Sequence, residues 1–270
     1  MREAKSPSGC TVKSVSNQLK TKQLGRTLVF VNECTSTNDI GRELANKGAP
    51  HGFLIVSETQ SAGRGRHGRK WISPRGGIWM TTILRPPQVT PTLEVLPLIG
   101  ALSVTRSIHN GLGINAKVRW PNDVVVDGSK VAGIIAESQQ EGNSVEFALL
   151  GIGVNANFPS SIFRDENIPA TTLMEIQGAA IDGSKLVCEI LLELEELLAF
   201  VVSDRVHLLD LLRRNDCSAG RRVKVVMEKE TVEGVFVDYE SVEVIRVATK
   251  EKLIAVNVAS AVFVEYSKPY

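Results

Sequence analysis

The order of apolar and polar positions divides the chain into a mixed region and a strictly alternating tail. "TLVFVNE" (Thr27–Glu33) is a short β-branched and aromatic run, which predicts a strand. In "TSTNDIGRELANKG" the apolar Ile40 and Leu44 lie one helical turn apart. Thr35, Ser36 or Thr37 can cap that helix and Gly48 can close it. "GFLIVSETQ" (Gly52–Gln60) predicts a second strand, and "GGIWMTTILRP" (Gly76–Pro86) a third, ended by Pro86 and Pro87. "TLEVLPLIGALSVTRSIHNG" (Thr92–Gly111) has helical spacing and a terminal glycine. "AKVRWPNDVVVDGSKVAGIIAESQ" and "VEFALLGIGVNANF" read as apolar strands separated by turns, with Asp127–Gly128 as a hairpin signal. Lys185–Asn215 is a long helical region with a break near Ser203–Asp204.

From Arg221 onward apolar and polar residues alternate with frequent turns, which predicts a small all-β module of about five strands. The organisation is then a polar, loosely ordered extension (1–25), a mixed region (26–216) and an all-β tail (217–270). The fold class is α+β: a mixed sheet with helices, then a barrel-like module.

Composition narrows the function. The chain is 43% hydrophobic and 23% charged, so a globular core is expected. A net charge of +1 argues against a general nucleic-acid coat protein, whose affinity comes from many phosphate contacts. It leaves room for one local anion site. The cysteines Cys10, Cys34, Cys188 and Cys217 are scattered without a CxxC pair. That spacing makes no case for a zinc site or a disulfide framework, and free thiols in a reducing compartment are expected. The N-terminus lacks the apolar core of a signal peptide, and no apolar run approaches the roughly 20 residues that span a bilayer. A cytoplasmic protein is expected.

Against that neutral background "GRGRHGRKW" (Gly63–Trp71) stands out, with three glycines and four Lys/Arg in one stretch. A charged surface loop needs no function, and a nucleic-acid segment of RG type would be longer. A phosphate cradle accounts for both residue types. Glycines let backbone N–H groups approach, and arginines offer bidentate forks to phosphate oxygens. It is no P-loop, because no GK[ST] follows. "RWPND" (Arg119–Asp123), the single Lys130 in "GSKVAGIIAES", and "GIGVNAN" (Gly151–Asn157) each have a plain explanation as turn or strand-end chemistry. Their joint occurrence and order decide.

"STN" (Ser36–Asn38), "ETQSAGRGRHGRKWISPRGG" (Glu58–Gly77), "RWPND", "GSKVAGIIAE" and "GIGVNAN", in that order, resemble the biotin–protein ligases (biotin–[acetyl-CoA-carboxylase] ligases) over about residues 22–265. The resemblance is to the short form. Only about 25 polar residues precede the first strand, where repressor members carry a DNA-binding winged helix. It implies a catalytic domain related to class II aminoacyl-tRNA synthetases, followed by an SH3-like barrel. Biotin and ATP would give biotinyl-5′-AMP and pyrophosphate, with Mg²⁺ bound through the triphosphate and no protein metal site. The acyl group would then pass to one lysine of a biotin carboxyl carrier domain. Neither DNA nor membrane is an expected partner, and a homodimer is one implied assembly.

The resemblance also implies roles. Arg64, Arg66 and Arg69 screen the meeting anions, and Lys130 holds the biotin carboxylate and bridging phosphate oxygens as a point charge. Ser36, Thr37, Asn38 and Gln60 read the ureido head. Trp79 lines the apolar wall of the biotin pocket, with a core tryptophan as the alternative. Trp71 stacks on adenine, and Asn122 and Asn155 contact the adenylate. Gly63 and Gly65 give the loop its freedom, and Gly133 and Ile135 complete the binding set. The loop is expected to be mobile when empty and to close over the adenylate, excluding water. Two positions depart from the family. Arg119 replaces lysine before WPND, and His67 replaces arginine, which makes one loop charge pH-dependent. A lipoate–protein ligase is the alternative enzyme, against which the arginine loop and the ureido-type polar set both argue. A nucleic-acid-binding regulator is the alternative outside enzymes.

Overall fold

The computed structural model describes residues 10–87, 89–142, 144–164 and 168–267. In chain order the elements are α1 (Val12–Gln18), β1 (Leu28–Cys34), α2 (Thr37–Asn46), β2 (Leu54–Gln60), β3 (Ile78–Leu84) and α3 (Leu96–Leu112). Then come β4 (Lys117–Arg119), β5 (Asp123–Val126), β6 (Ser129–Glu141), β7 (Ser144–Val154), α4 (Ser161–Arg164) and α5 (Leu173–Gln177). The last are α6 (Gly183–Ser203), α7 (Arg205–Asn215), β8 (Arg222–Val226), β9 (Thr231–Tyr239), β10 (Val244–Ala248), β11 (Leu253–Asn257) and β12 (Phe263–Tyr266).

A seven-stranded sheet runs β1-β2-β3-β7-β6-β5-β4, and a five-stranded sheet runs β11-β10-β9-β8-β12. Only β1 and β2 are parallel in the first sheet; its other pairs are antiparallel. This is the expected α+β layout with a small all-β module after the helices. The hairpin at Asp127–Gly128 forms as the sequence predicts, both residues taking positive φ (48° and 80°). The α6–α7 break falls at Asp204, whose carboxylate caps α7 by accepting from His207 N–H.

Strand alternation sorts the first sheet's side chains onto two faces. On one face Leu54, Val56, Met80, Leu150 and Ile152 pack with α3 and α6 in the main core. On the other Ile55, Ile83, Phe147 and Leu149 pack under α2 with Ala45, Ile40 and Leu44.

One expectation is corrected. Residues 10–25 are not loose chain. α1 opens with a capping box between Thr11 and Ser14 and buries Val15. Glu195 of α6 then accepts the N–H groups of Lys22, Gln23 and Leu24. A polar composition concealed these contacts, because they are made to backbone. Residues 1–9 lie outside the described residues. Among the described residues no helix is long and apolar enough to cross a membrane.

Candidate active site

The α2 face of the sheet runs out of side chain beyond α2. Along β7 the large Phe147 and Leu149 give way to Gly151 and Gly153. Pairing places Trp79, Gly153 and Gly133 in one cross-strand row, and Thr81, Gly151 and Ile135 in the next. A Cβ on Gly151 would meet Asn38 Oδ1 at 2.6 Å, and one on Gly153 would meet Trp71 Nε1 at 2.5 Å. The glycines let Asn38 and Trp71 lie close against the sheet, where they help to line a cavity of about 480 Å³, within the range of small-molecule sites. Ser36, Asn38, Gln60, Trp71, Asn122 and Lys130 are among the residues lining it.

One end of the cavity is polar, buried and interlocked. Ser36 is the N-cap of α2, its hydroxyl accepting from Asn38 N–H. Gln60 Oε1 accepts from the backbone N–H of Thr37 at 2.8 Å, and its amide N–H donates to Ser73 at 2.9 Å. Thr81 donates to Asn38 Oδ1 at 2.6 Å, while Asn38 Nδ2 donates to Glu137 at 2.9 Å. Glu137 in turn pairs with Arg42 at 2.5 Å. Every amide here has a fixed orientation, set by its neighbours rather than by a ligand.

The glycine–arginine segment folds as a tight hairpin that runs from the α2 end, where Arg64 pairs with Asp39, to the opposite end, where Arg66 lies beside Asn122. Gly65 N–H donates to Arg69 C=O at 2.7 Å, and Trp71 N–H donates to Gly63 C=O at 2.9 Å. Gly63 is required because a Cβ there would sit 2.5 Å from Trp71 C=O. Gly68 follows His67 at the tip, with φ of 74° and 56°. Residues 67–70 are exposed.

Each arginine of the hairpin has a partner. Arg64 makes a two-pronged pair with Asp39 at 2.7 and 3.0 Å and lies 3.5 Å from Glu137. Its hydrogen bonds hold the Asp39 carboxyl below the usual range. Arg66 donates to the Ala261 carbonyl and lies 3.4 Å from Asn122 Oδ1. Burial depresses its pKa, Asp123 opposes that effect, and Arg69 adds to it. Arg69 stacks 4.3 Å above the Phe263 ring. Burial, then the charges of Arg66 and Arg69, lower His67.

Lys130 Nζ is 2.5 Å from Asp123 and 5.0 Å from the centre of the Trp71 ring. Arg119 reaches the same carboxylate at 2.9 Å. Burial works against ionisation of Asp123, but the charges of Lys130 and Arg119 outweigh it and hold its carboxyl below the usual range. Asn155 donates to the carbonyls of Lys130 and Thr171, which ties β7 to the loop beyond α4. Among the described residues, three buried polar atoms of cavity-lining residues have no hydrogen-bonding partner: the donors Trp71 Nε1 and Trp120 Nε1 and the acceptor Asn155 Oδ1.

The sequence-predicted residues therefore converge on one cavity, with two exceptions. Trp79 is completely buried and donates its indole N–H to Pro74 C=O. It backs Trp71 edge-on at 6.4 Å and belongs to the core, not to the cavity wall. Gly63 likewise serves the hairpin base and does not line the cavity. Sequence reasoning missed Asp39, Thr81, Asp123 and Glu137, which orient the named residues. It also missed Ala261 and Phe263, which carry the all-β module into the site. Asp123 lay inside the quoted "RWPND", one hairpin turn away from Lys130.

Residues 31–155 match the Biotin/lipoate A/B protein ligase family. A biotin–[acetyl-CoA-carboxylase] ligase from Mycobacterium tuberculosis is 31% identical over 207 residues, covering 74% of each chain. This chain belongs to the biotin–protein ligase family. A bifunctional ligase/repressor BirA from Bacillus spizizenii is 38% identical over 197 residues, covering 72% of this chain. The matched stretch spans 61% of that family member's length. A biotin protein ligase from Aquifex aeolicus, solved with biotin and ATP, superposes with a TM-score of 0.77 at 26% identity. It covers 90% of this family member and 100% of the Aquifex chain.

Proposed function

We propose that this chain activates biotin with ATP as biotinyl-5′-AMP and passes the acyl group to a lysine of a biotin carboxyl carrier domain. The observation that supports this best is the division of a single cavity. A preset polar pocket at one end fits a small head group with N–H donors and a carbonyl. At the other end Lys130 and the arginine hairpin stand where two anions would meet. The three unpartnered atoms, two donors and one acceptor, suit a ligand that carries both kinds of group.

In the first step a carboxylate oxygen of biotin attacks the α-phosphorus of ATP and pyrophosphate leaves. Both reactants are anionic, so cations must screen them and steady the charge on the equatorial oxygens. Lys130 is held toward the cavity by Asp123 and can share its charge between that carboxylate and the incoming oxygens. Arg66 and Arg69 exchange their present partners, a carbonyl and a ring face, for phosphate oxygens. Arg64 stays with Asp39 and pins the base of the hairpin. Mg²⁺, carried by the triphosphate rather than by protein ligands, would supply further charge neutralisation. In the second step the acceptor amine attacks the acyl carbon and AMP leaves.

The test is ATP–pyrophosphate exchange with biotin or lipoate as the acid, followed by transfer of mass-tagged biotin to a carrier domain. Exchange driven by biotin alone, with the tag on one carrier lysine, is expected. Exchange driven by lipoate would replace this reading with the lipoate ligase alternative.

A further inference from the structure

The WPND turn carries Asn122 and Asp123 into the cavity, yet the groups that fix its backbone lie behind it, at the junction with the second sheet. Trp120 N–H donates to Ser218 Oγ at 2.9 Å, and the Tyr266 hydroxyl donates to Trp120 C=O at 2.8 Å. Ser218 is completely buried. Its N–H donates to Asp216 Oδ1 at 2.6 Å and its hydroxyl to Oδ2 at 3.0 Å. Tyr239 of β9 donates to the same Oδ2 at 3.0 Å. Cys217 N–H donates to Val118 C=O at 2.9 Å and aligns the segment along β4.

We propose that Asp216 is a positioning residue for the nucleotide half of the site, fixing the Trp120 backbone through Ser218 and so placing Asn122 and Asp123. The inference rests on the ligase reading above. A carboxylate suits this place because the donors that converge on it need an acceptor-only partner. With the Ser218 hydrogen turned to Asp216, the Ser218 oxygen is left free to accept from Trp120 N–H. An amide at 216 would turn a donor toward Tyr239 or Ser218 and break that order. From Trp120 the chain reaches Asn122, beside Arg66, and then Asp123, which holds Lys130. The second sheet is thereby part of the nucleotide site, since Tyr239 and Tyr266 both belong to it.

Burial pushes the Asp216 carboxyl up to about 6. The groups facing it are Tyr239 and Tyr266, both raised by burial, and Cys217, also raised by burial. Arg119, Arg221 and Lys117 act on Cys217 beside it. A raised carboxyl binds its proton more tightly in the folded than in the unfolded chain, so acid does not weaken the fold through this group. Acid does convert an acceptor into a donor, and the Ser218 hydroxyl must then turn. Nucleotide binding should therefore weaken as pH falls through about 6 while the fold persists.

The experiment measures biotin-dependent ATP–pyrophosphate exchange on the full chain between about pH 5 and pH 8. It compares wild type, Asp216→Asn, Ser218→Ala and His67→Gln, the last because His67 is a titratable group that lines the same cavity. At neutral pH Asp216→Asn should raise the KM for ATP about tenfold and leave the KM for biotin unchanged. It should also abolish the acidic decline in ATP use, which His67→Gln should retain. Ser218→Ala keeps the carboxylate and removes only the link to Trp120, so it should show the same rise in KM for ATP. This holds the test open should Asp216→Asn fail to fold. A wild-type KM for ATP in Ser218→Ala, or an acidic decline lost in His67→Gln and kept in Asp216→Asn, overturns the inference alone. No biotin-driven exchange in the wild type overturns the ligase reading and this inference with it.

Discussion

The two ends of the cavity are built on opposite principles. At the α2 end Asn38, Gln60, Thr81 and Glu137 are buried or half-buried, sit on strands or a helix start, and satisfy one another. That network is complete before a ligand arrives, so its geometry is set by folding. At the other end Arg66 and Arg69 stand on a hairpin with an exposed tip and hold partners they can exchange: a carbonyl and a ring face. That end is organised by what binds. A small neutral head group needs a fixed template for recognition, whereas transient phosphate charge needs cations that can come and go.

Lys130→Ala should sharpen the contrast most. Lys130 belongs to the rigid sheet but serves the charged end. Its loss should slow adenylate formation on the order of 10³-fold, read as pyrophosphate exchange. The fold should survive, because Arg119 still pairs with Asp123. Exchange at a near wild-type rate would remove Lys130 from the reaction.

Arg66→Gly should slow adenylate formation by about 10²-fold and also shorten its retention. Released biotinyl-AMP acylates exposed lysines, so an unrelated lysine-rich protein added to the reaction should become biotinylated. A variant that makes adenylate but leaves that bystander unlabelled would show that the hairpin does not hold the intermediate.

Asn38→Ala breaks the preset end. It leaves Glu137 and Thr81 without an amide partner, at about 1–3 kcal/mol of stability. Biotin affinity should fall about tenfold, measured by calorimetry, with the KM for ATP little changed at saturating biotin. Equal losses for both ligands would erase the distinction between the two ends.

Arg64→Ala should have the smallest effect. The Asp39–Arg64 pair is half-exposed, so its removal should cost below about 1 kcal/mol at neutral pH. Asp39 is held below its usual range, so its contribution is present above the unfolded value and lost as pH falls through the folded one. The difference in melting temperature between wild type and variant should therefore close in acid.

The features legible in the sequence were those with a local cause. The Asp127–Gly128 turn needs positive φ, the Asp204 break is a cap, and the strands Leu54–Gln60 and Ile78–Leu84 each open with a run of three apolar residues. The ordered motifs also placed most of the cavity. What stayed hidden depends on long-range pairing. Glu137 reaches Asn38 across β6 and α2, and Phe263 reaches Arg69 from a module that reads as separate. The role of Trp79 could not be read either. Alternation places it on the cavity face, but Trp71 covers it. Residues 10–25 looked loose because their stability comes from a capping box and from Glu195, not from an apolar stripe.

The most direct measurement is ATP affinity with and without saturating biotin, by calorimetry with a non-hydrolysable ATP analogue. If the head-group end is preset and the arginine end is organised by its ligands, biotin should supply the carboxylate that completes the nucleotide site. The analogue should then bind at least about tenfold more tightly, a coupling that must be reciprocal. An affinity unchanged by biotin would contradict the account, since both ends would then be equally complete in the free protein.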